Sequence, residues 1–528
     1  MRKLLQKIAD TVRGLSADSV EYAGSGHAGM PLGCAEIGAY LFAEEMNYNP
    51  EEPDWFNRDR LILSAGHGSI WLYSLLHMSG YDLSLDDLKE YRKKGSKTPG
   101  HPEYGVTPGV EMTTGPLGQG IAHAVGMALA EEVLAEKFNK EDFNLIDHYT
   151  YVVAGDGDLM EGVSYESVSL AGNLGLDKLI VVYDHNGVSI DGPTDITFDE
   201  NIEQRFSAAN WQVISPVDGN DFLDLEYAFK KAKADKNRPT LIIADTKIAK
   251  GITAKEGQSS AHASPLGREE ILKMKRKAGF SETEFKVPEE VNKYFQGHRQ
   301  KLEAVFEEWT ELKNKYANKF EEEYRELQAG INLESDIDFD GSGLDFEEKM
   351  PLRNYSGEYY RYLADELPYL IGGTADLSAS TRINLDQYSD IQKDNFSGRN
   401  IKFGIREHAM AAAAGGIMLH SGLRPVIATY LTFSDYMKPA IRMSAMMGLP
   451  VIYVFTHDSI HVGQDGPTHQ PVEQLESLRM VPGLRVIRPA NGREVKMAWE
   501  AAVKEKEKPV ALVMARQAVD TYDRKIVE

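Results

Sequence analysis

Short apolar runs that stop at polar, glycine-bearing loops constrain this chain more than any other feature. Within residues 1–265 the runs Leu61-Ile62-Leu63, 149–154, 179–183 and 241–244 alternate with helical stretches and glycine loops. Runs of this length read as buried strands. Their alternation with helices predicts βαβ units and a mostly parallel sheet, an α/β fold. Two of the loops carry distinctive chemistry: Gly155-Asp156-Gly157 follows the second run, and Tyr183-Asp184-His185-Asn186-Gly187 closes the third. Both fall at the C-terminal edge of a strand, where an open α/β sheet binds its ligand. Asp156 offers a carboxylate oxygen, Asn186 an amide oxygen and Val188 a backbone carbonyl. Such oxygens, joined by diphosphate oxygens and water, would complete the octahedron that Mg²⁺ demands. The plainer reading is two loops with a turn aspartate and a turn asparagine.

A net charge of −23 argues against a nucleic-acid partner, which would call for a basic face. It also sets a condition: an anionic ligand needs local cations against the global field. No apolar run approaches the roughly 18 residues of a membrane span. Met1-Arg2-Lys3-Leu4-Leu5 reads as the start of an amphipathic helix rather than a signal peptide. Cys34 is the only cysteine, so no intrachain disulfide forms, and a reducing cytoplasm is expected.

The patterning changes along the chain. Residues 266–345 are charged and poor in strand-like runs. There Leu302, Val305, Phe306, Trp309, Leu312, Tyr316, Phe320, Tyr324 and Leu327 recur at three- and four-residue steps, the stripe of a helix that packs on its neighbours. Residues 346–528 return to α/β patterning, with strands expected at 369–371, 425–428, 451–455, 484–487 and 510–514.

Several groups carry chemistry. Gly115-Pro116-Leu117-Gly118-Gln119-Gly120 precedes a helix expected at 121–135 and can offer backbone N–H groups to phosphate or to a ring. His27, His67 and His101 sit beside glycine, and His262 follows a polar stretch. Imidazoles on such loops suit proton transfer near neutral pH, and their spacing does not fit a zinc site. Glu407, in Arg406-Glu407-His408, is either a charge complementing a helix N-terminus or a buried carboxyl acting as proton donor. Tyr430, Phe433 and Tyr436 form either core packing or a platform for a flat ring. Thr456-His457-Asp458-Ser459-Ile460-His461 and Asp465-Gly466-Pro467-Thr468-His469-Gln470 follow a strand and are dense in proton-transfer groups. Arg353 and Arg516, with His457, would supply the phosphate clamp that the net charge calls for.

Taken together, these stretches resemble transketolase, a thiamine-diphosphate enzyme, over nearly the whole chain. The match runs through Ser25-Gly26-His27, Gly66-His67-Gly68-Ser69, Lys97-Thr98-Pro99-Gly100-His101-Pro102-Glu103 and Thr114 to Gly120. It continues through Gly155-Asp156-Gly157, Asn186, Arg406-Glu407-His408 and Asp465-Gly466-Pro467-Thr468-His469-Gln470-Pro471.

The resemblance implies two doubly wound parallel-sheet domains that bind thiamine diphosphate: a diphosphate-binding domain over 1–265 and a pyrimidine-binding domain over 346–528, joined by a helical linker over 266–345. It implies Mg²⁺, Ca²⁺ or Mn²⁺ on Asp156, Asn186 and Val188. His67, Gly115, Pro116, Leu117, Gly157, Glu161 and His262 would line the thiazolium and diphosphate. Glu407 of a second subunit would hydrogen-bond the aminopyrimidine, with Tyr430, Phe433 and Tyr436 around the ring. His27, His101, His262, Asp465 and His469 would bind and deprotonate the sugar; Arg353, Ser380, His457 and Arg516 would hold its terminal phosphate. The implied reaction passes a two-carbon ketol unit from a ketose phosphate to an aldose phosphate through a thiamine diphosphate carbanion, in a cytoplasmic homodimer with sites at the subunit interface.

The family's third domain, normally following the position of Arg516, is missing from this sequence, so a separate polypeptide supplying it is one expectation. A catalytically silent truncated paralogue, or one subunit of a split enzyme, is the alternative. Residues 250–264 also depart from the family, which commonly has a second histidine near Ser259 and glycine in place of Ala263.

Overall fold

The computed structural model describes residues 1–346 and 349–520. These form two compact units. One takes Met1–Ala124 and Asp147–Asn314; the other takes Val125–Ile146 and the described residues from Lys315 onward.

The first unit is built on five parallel strands, β1 (Arg60–Leu63), β2 (Thr150–Gly155), β3 (Leu179–His185), β4 (Gln212–Asp218) and β5 (Thr240–Asp245), in the order β1-β2-β3-β5-β4. Helices cover the sheet, so its inner strands carry unbroken apolar runs rather than alternating ones. In β3, Leu179, Ile180, Val181, Val182 and Tyr183 are all buried. The sequence runs locate β1, β2, β3 and β5 and miss β4. That strand lies at the edge, three of its seven residues are exposed, and its register shifts between Ile214 and Val217, around Pro216. Proline is tolerated at such an edge because no ladder donor is needed there. The expected N-terminal helix spans Arg2–Ala23, burying Leu5, Ile8, Val12, Leu15 and Val20 on one face.

The second unit holds a short antiparallel pair, β6 (Met350–Pro351) with β13 (Ala518–Val519), and a six-stranded parallel sheet. The sheet strands are β7 (Leu370–Thr374), β8 (Asn400–Lys402), β9 (Arg424–Tyr430), β10 (Ile452–Thr456), β11 (Arg485–Ile487) and β12 (Val510–Met514), ordered β11-β12-β10-β9-β7-β8. From β7 the chain steps outward to β8 and returns to β9 on the other side of β7. That reversal is a topological switch point, where the strand ends splay to leave a ligand crevice. β8, three residues at an edge, has no run long enough to read from sequence.

The expected apolar-striped helix is two helices, Glu289–Lys319 and Glu321–Asn332, preceded by Arg268–Lys277. The break falls at Phe320, whose φ of −127° and ψ of 60° leave the helical region. Glu321, Glu322 and Glu323 then open the next helix, where carboxylates favour the positive end of its dipole. Apart from the exposed Val305, the stripe packs: Trp309 lies 5.9 Å from Trp55 in the first unit, and Phe320 lies 5.5 Å from Phe143 in the second.

Two buried arginines fasten helix ends to the second sheet. Arg424 donates to the carbonyls of Pro450, Ala502, Val503 and Glu505, closing the C-terminus of helix Gly492–Lys504. Arg399 does the same for helix Leu352–Glu366 through Ala364, Leu367 and Leu370. Terminal carbonyls have no partner within their own helix. Arg424→Met therefore strands buried acceptors and is expected to cost about 3 kcal/mol or more. Urea unfolding monitored by circular dichroism checks this; a midpoint unchanged from the wild type would contradict it.

Candidate active site

The loops after β1, β2 and β3 surround a cavity of about 390 Å³ in the first unit. Its wall includes His27, His67, His101, Gly115, Leu117, Asp156, Gly157, Asn186, Val188 and His262. The structure thus gathers most of the residues singled out in this half of the sequence. Pro116 is exposed and does not line the cavity; Glu161, exposed at the junction of two helices, does not either.

One buried carboxylate joins the loops. Asp158 Oδ1 accepts from Ser64 Oγ at 2.6 Å and from the Gly118 N–H at 2.8 Å, and its Oδ2 accepts from the Gly155 N–H at 3.0 Å. Gly118 has a φ of +76°, a conformation that disfavours any side chain. Beside it, Asp156 is buried and accepts a 2.7 Å hydrogen bond from Tyr183 Oη. Burial, reinforced by Asp184, pushes the Asp156 carboxyl up to about 6. Asn186 Nδ2 donates to Asp184 Oδ2 at 2.9 Å, which orients the amide, while Asn186 Oδ1 accepts from the Val188 N–H at 3.1 Å. Asp184 is itself fully buried and takes bonds from Thr246 and Cys34, so its carboxylate acts as the anchor of the Asn186 loop.

Four imidazoles share the cavity. His67 and His262 stack at 4.9 Å between ring centres; His27 lies 5.4 Å from His67, 5.6 Å from His262 and 6.1 Å from His101. Burial, then His262, His101 and Arg92, hold His27 down at about 4. Burial and its histidine neighbours take His67 to about 3. His101 and His262 are also lowered, chiefly by burial. All four are therefore neutral near pH 7, each able to accept or donate a proton. His27 Nδ1 is buried with no hydrogen-bond partner among the described residues, a polar atom left for a ligand.

In the second unit Tyr430, Phe433, His457 and His469 come together at the C-terminal edge of the sheet, with Arg353 and Arg516 near His457. His457, directly after β10, stacks on Tyr430 at 3.7 Å between ring centres and has a φ of +58°. Such strain in a non-glycine residue persists only where the surroundings enforce it. Tyr430 stacks on Phe433 at 5.9 Å, and His469 lies 5.3 Å from Phe433. Tyr436 tilts against Phe433 at 6.1 Å but is largely exposed. The Arg353 Nη1 donates to the Ser380 carbonyl at 2.8 Å, leaving its buried Nε without a partner. Burial, with Arg353 and Arg516 beside it, lowers His457 to about 4. Burial and Arg516 likewise lower Arg353, the signature of like charges gathered without enough counter-charge. Glu407 opens helix Glu407–His420 and is half-buried; burial raises its carboxyl against the opposing hydrogen bond from its own backbone N–H.

Asp158, Asp184, Tyr183 and Arg92 escape the sequence reading. A second aspartate in Gly155-Asp156-Gly157-Asp158 looks like an ordinary turn residue until its partners, 40 and 94 positions away, are brought to it. Among the described residues no three His, Cys, Asp or Glu side chains form a metal-ligating group.

Residues 4–335 match the family described as transketolase, thiamine diphosphate binding domain, and residues 348–521 match transketolase, pyrimidine binding domain. This chain belongs to the transketolase family. A transketolase from Halalkalibacterium halodurans is 49% identical over 527 residues, 99% of this chain and 79% of that protein. A transketolase structure from Leishmania mexicana superposes with a TM-score of 0.96 at 43% identity, covering 98% of this chain and 78% of that one. A Pichia stipitis transketolase in complex with sedoheptulose-7-phosphate gives a TM-score of 0.96 at 40% identity, with coverage of 98% and 78%. As a transketolase the chain is a transferase with thiamine diphosphate as its coenzyme, and sugar phosphates are its substrate class. The four-histidine cavity lies in the first family region and the arginine–histidine cluster in the second. Neither a catalytically silent truncated paralogue nor one subunit of a split enzyme is favoured by these relatives.

The depressed histidines give a pH prediction. The unfolded chain binds these protons near the ordinary 6.5, whereas folded His27 and His67 resist them to about 4 and 3. Their stabilising effect is complete above pH 6.5 and is lost as pH falls toward 4. Asp156, raised to about 6, acts in the opposite direction over its own range. The His27→Gln/His67→Gln pair should therefore show a shallower loss of stability between pH 6.5 and 4 than the wild type, measured by urea unfolding. Identical slopes would refute the assignment.

Proposed function

We propose that this transketolase transfers a two-carbon ketol unit from a ketose phosphate, such as xylulose 5-phosphate, to an aldose phosphate, such as ribose 5-phosphate or erythrose 4-phosphate. The observation that carries the reading is the single cavity joining four neutral imidazoles to Asp156, Asn186 and Val188. Asp156, the Asn186 amide oxygen and the Val188 carbonyl would hold Mg²⁺ or a similar divalent ion. One carboxylate is too few to bind such an ion alone, so the diphosphate oxygens must complete its shell, coupling metal to coenzyme. The donor chemistry fits: hard oxygens at a sheet edge, with Asn186 oriented by Asp184.

When bound, thiamine diphosphate supplies an acidic thiazolium carbon and an electron sink for the two-carbon fragment. The chain's own residues then position and move protons. Gly115, Leu117, Gly157 and His67 would seat the coenzyme. His27, His101 and His262, neutral and close together, would take protons from and return them to the sugar hydroxyls. Asp465 and His469 would bind hydroxyl groups of the sugar. Arg353, Ser380, His457 and Arg516 would hold the terminal phosphate. Neutral His457 donates a hydrogen bond at its free nitrogen while the guanidiniums bring the charge. Glu407, with its carboxyl raised, would donate to the aminopyrimidine, with Tyr430 and Phe433 beside that ring. Such an arrangement implies a homodimer in which Glu407 comes from the second copy. A cytoplasmic setting, suited to the buried free thiol of Cys34, completes the reading.

Incubation with thiamine diphosphate, Mg²⁺, xylulose 5-phosphate and ribose 5-phosphate should yield sedoheptulose 7-phosphate. Glu407→Gln should lower kcat by about 10²- to 10⁴-fold while the protein stays folded. A folded wild type without product, or a fully active Glu407→Gln, would overturn the assignment.

A further inference from the structure

The positive cluster of the second unit is larger than the clamp assigned above. Arg382 terminates the short helix Ser378–Thr381 with a φ of +66°, a left-handed conformation rarely adopted by a residue with a side chain. Its backbone is pressed against helix Leu352–Glu366 at Gly357: a Cβ there would lie 2.5 Å from the Arg382 Cβ and 2.5 Å from its carbonyl oxygen. Gly357 stands four residues after Arg353 and so shares its helix face. Arg353 in turn donates to the Ser380 carbonyl, two residues before Arg382. Two close approaches, one through Gly357 and one through Ser380, thus bring Arg382 up to the Arg353 side of the cluster. Arg382 is close enough to weaken the proton affinity of Arg353, as is Arg516. Its guanidinium makes no hydrogen bond or ion pair among the described residues, and Asp465 is the carboxylate that answers Arg353.

We propose that Arg382 is a third cation of the anion subsite and sets its selectivity for a doubly charged phosphate ester over a neutral sugar. The inference rests on the transketolase reading for the identity of the ester, but not for the existence of the subsite. Arg382 and Arg516 both act on Arg353 as like charges, and an anion relieves that repulsion. A dianion draws more from the third charge than a monoanion or a neutral hydroxyl can. Backbone strain at Arg382 is held by the Gly357 contact, which keeps the side chain's origin beside Arg353.

The test compares wild type, Arg382→Gln and Arg382→Lys as full chains with thiamine diphosphate and Mg²⁺ present. Inorganic phosphate, titrated calorimetrically at constant ionic strength, should bind Arg382→Gln about three- to tenfold more weakly, with Arg382→Lys in between. In turnover, Arg382→Gln should raise KM for a phosphorylated ketose by a similar factor while kcat is retained, and should spare the unphosphorylated ketose. Equal phosphate affinity in wild type and Arg382→Gln overturns the proposal, as do equal losses on both ketoses. Absence of turnover by the wild type defeats the transketolase reading alone, because the phosphate titration still judges Arg382.

Discussion

The geometry of the first unit's site depends on two buried carboxylates that are held by hydrogen-bond donors rather than by cations. Asp158 draws Ser64 after β1, Gly118 before helix Gln119–Phe138 and Gly155 at the end of β2 onto one side chain. Asp184 does the same for Asn186, Thr246 and Cys34. Burial raises both carboxyls and the donors pull them back, so each carboxylate is costly unless every donor is in place. That cost locks the loops carrying His67, Gly115, Leu117, Asp156 and Asn186 into one arrangement. A ligand then meets a pocket already formed, and little ordering entropy remains for binding to supply.

The two units solve opposite electrostatic problems in a chain of net charge −23. In the first, four imidazoles are kept neutral by burial and by one another, which suits proton exchange with hydroxyl groups. In the second, arginines crowd together with little compensation and a neutral His457 stacked on Tyr430, which suits capture of an anion.

Much of the fold was legible because buried parallel strands leave continuous apolar runs: 510–514 coincides with β12, and 179–183 lies within β3. β4 and β8 were not legible, since one is a polar edge strand interrupted by Pro216 and the other is three residues long. The break at Phe320 was hidden because the apolar spacing continues across it. At the site, glycine-flanked histidines pointed to ligand-facing loops, and Asp156 and Asn186 were marked by their place after strands. Asp158, Arg92 and Arg382 were invisible for a common reason: each matters through partners or contacts distant in sequence, as Asp184 does through Thr246 and Cys34. Pro116 sits in a matching motif, yet its neighbours Gly115 and Leu117 form the cavity wall, and Glu161 takes no part in it.

The central claim is that a divalent ion held at Asp156, Asn186 and Val188 anchors the coenzyme through its diphosphate. Calorimetric titration of thiamine diphosphate into the protein, with and without Mg²⁺, tests it most directly. The account predicts tight uptake that requires the metal and collapses in Asn186→Ala. Uptake of equal strength with and without metal, or none by a well-folded sample, would contradict it.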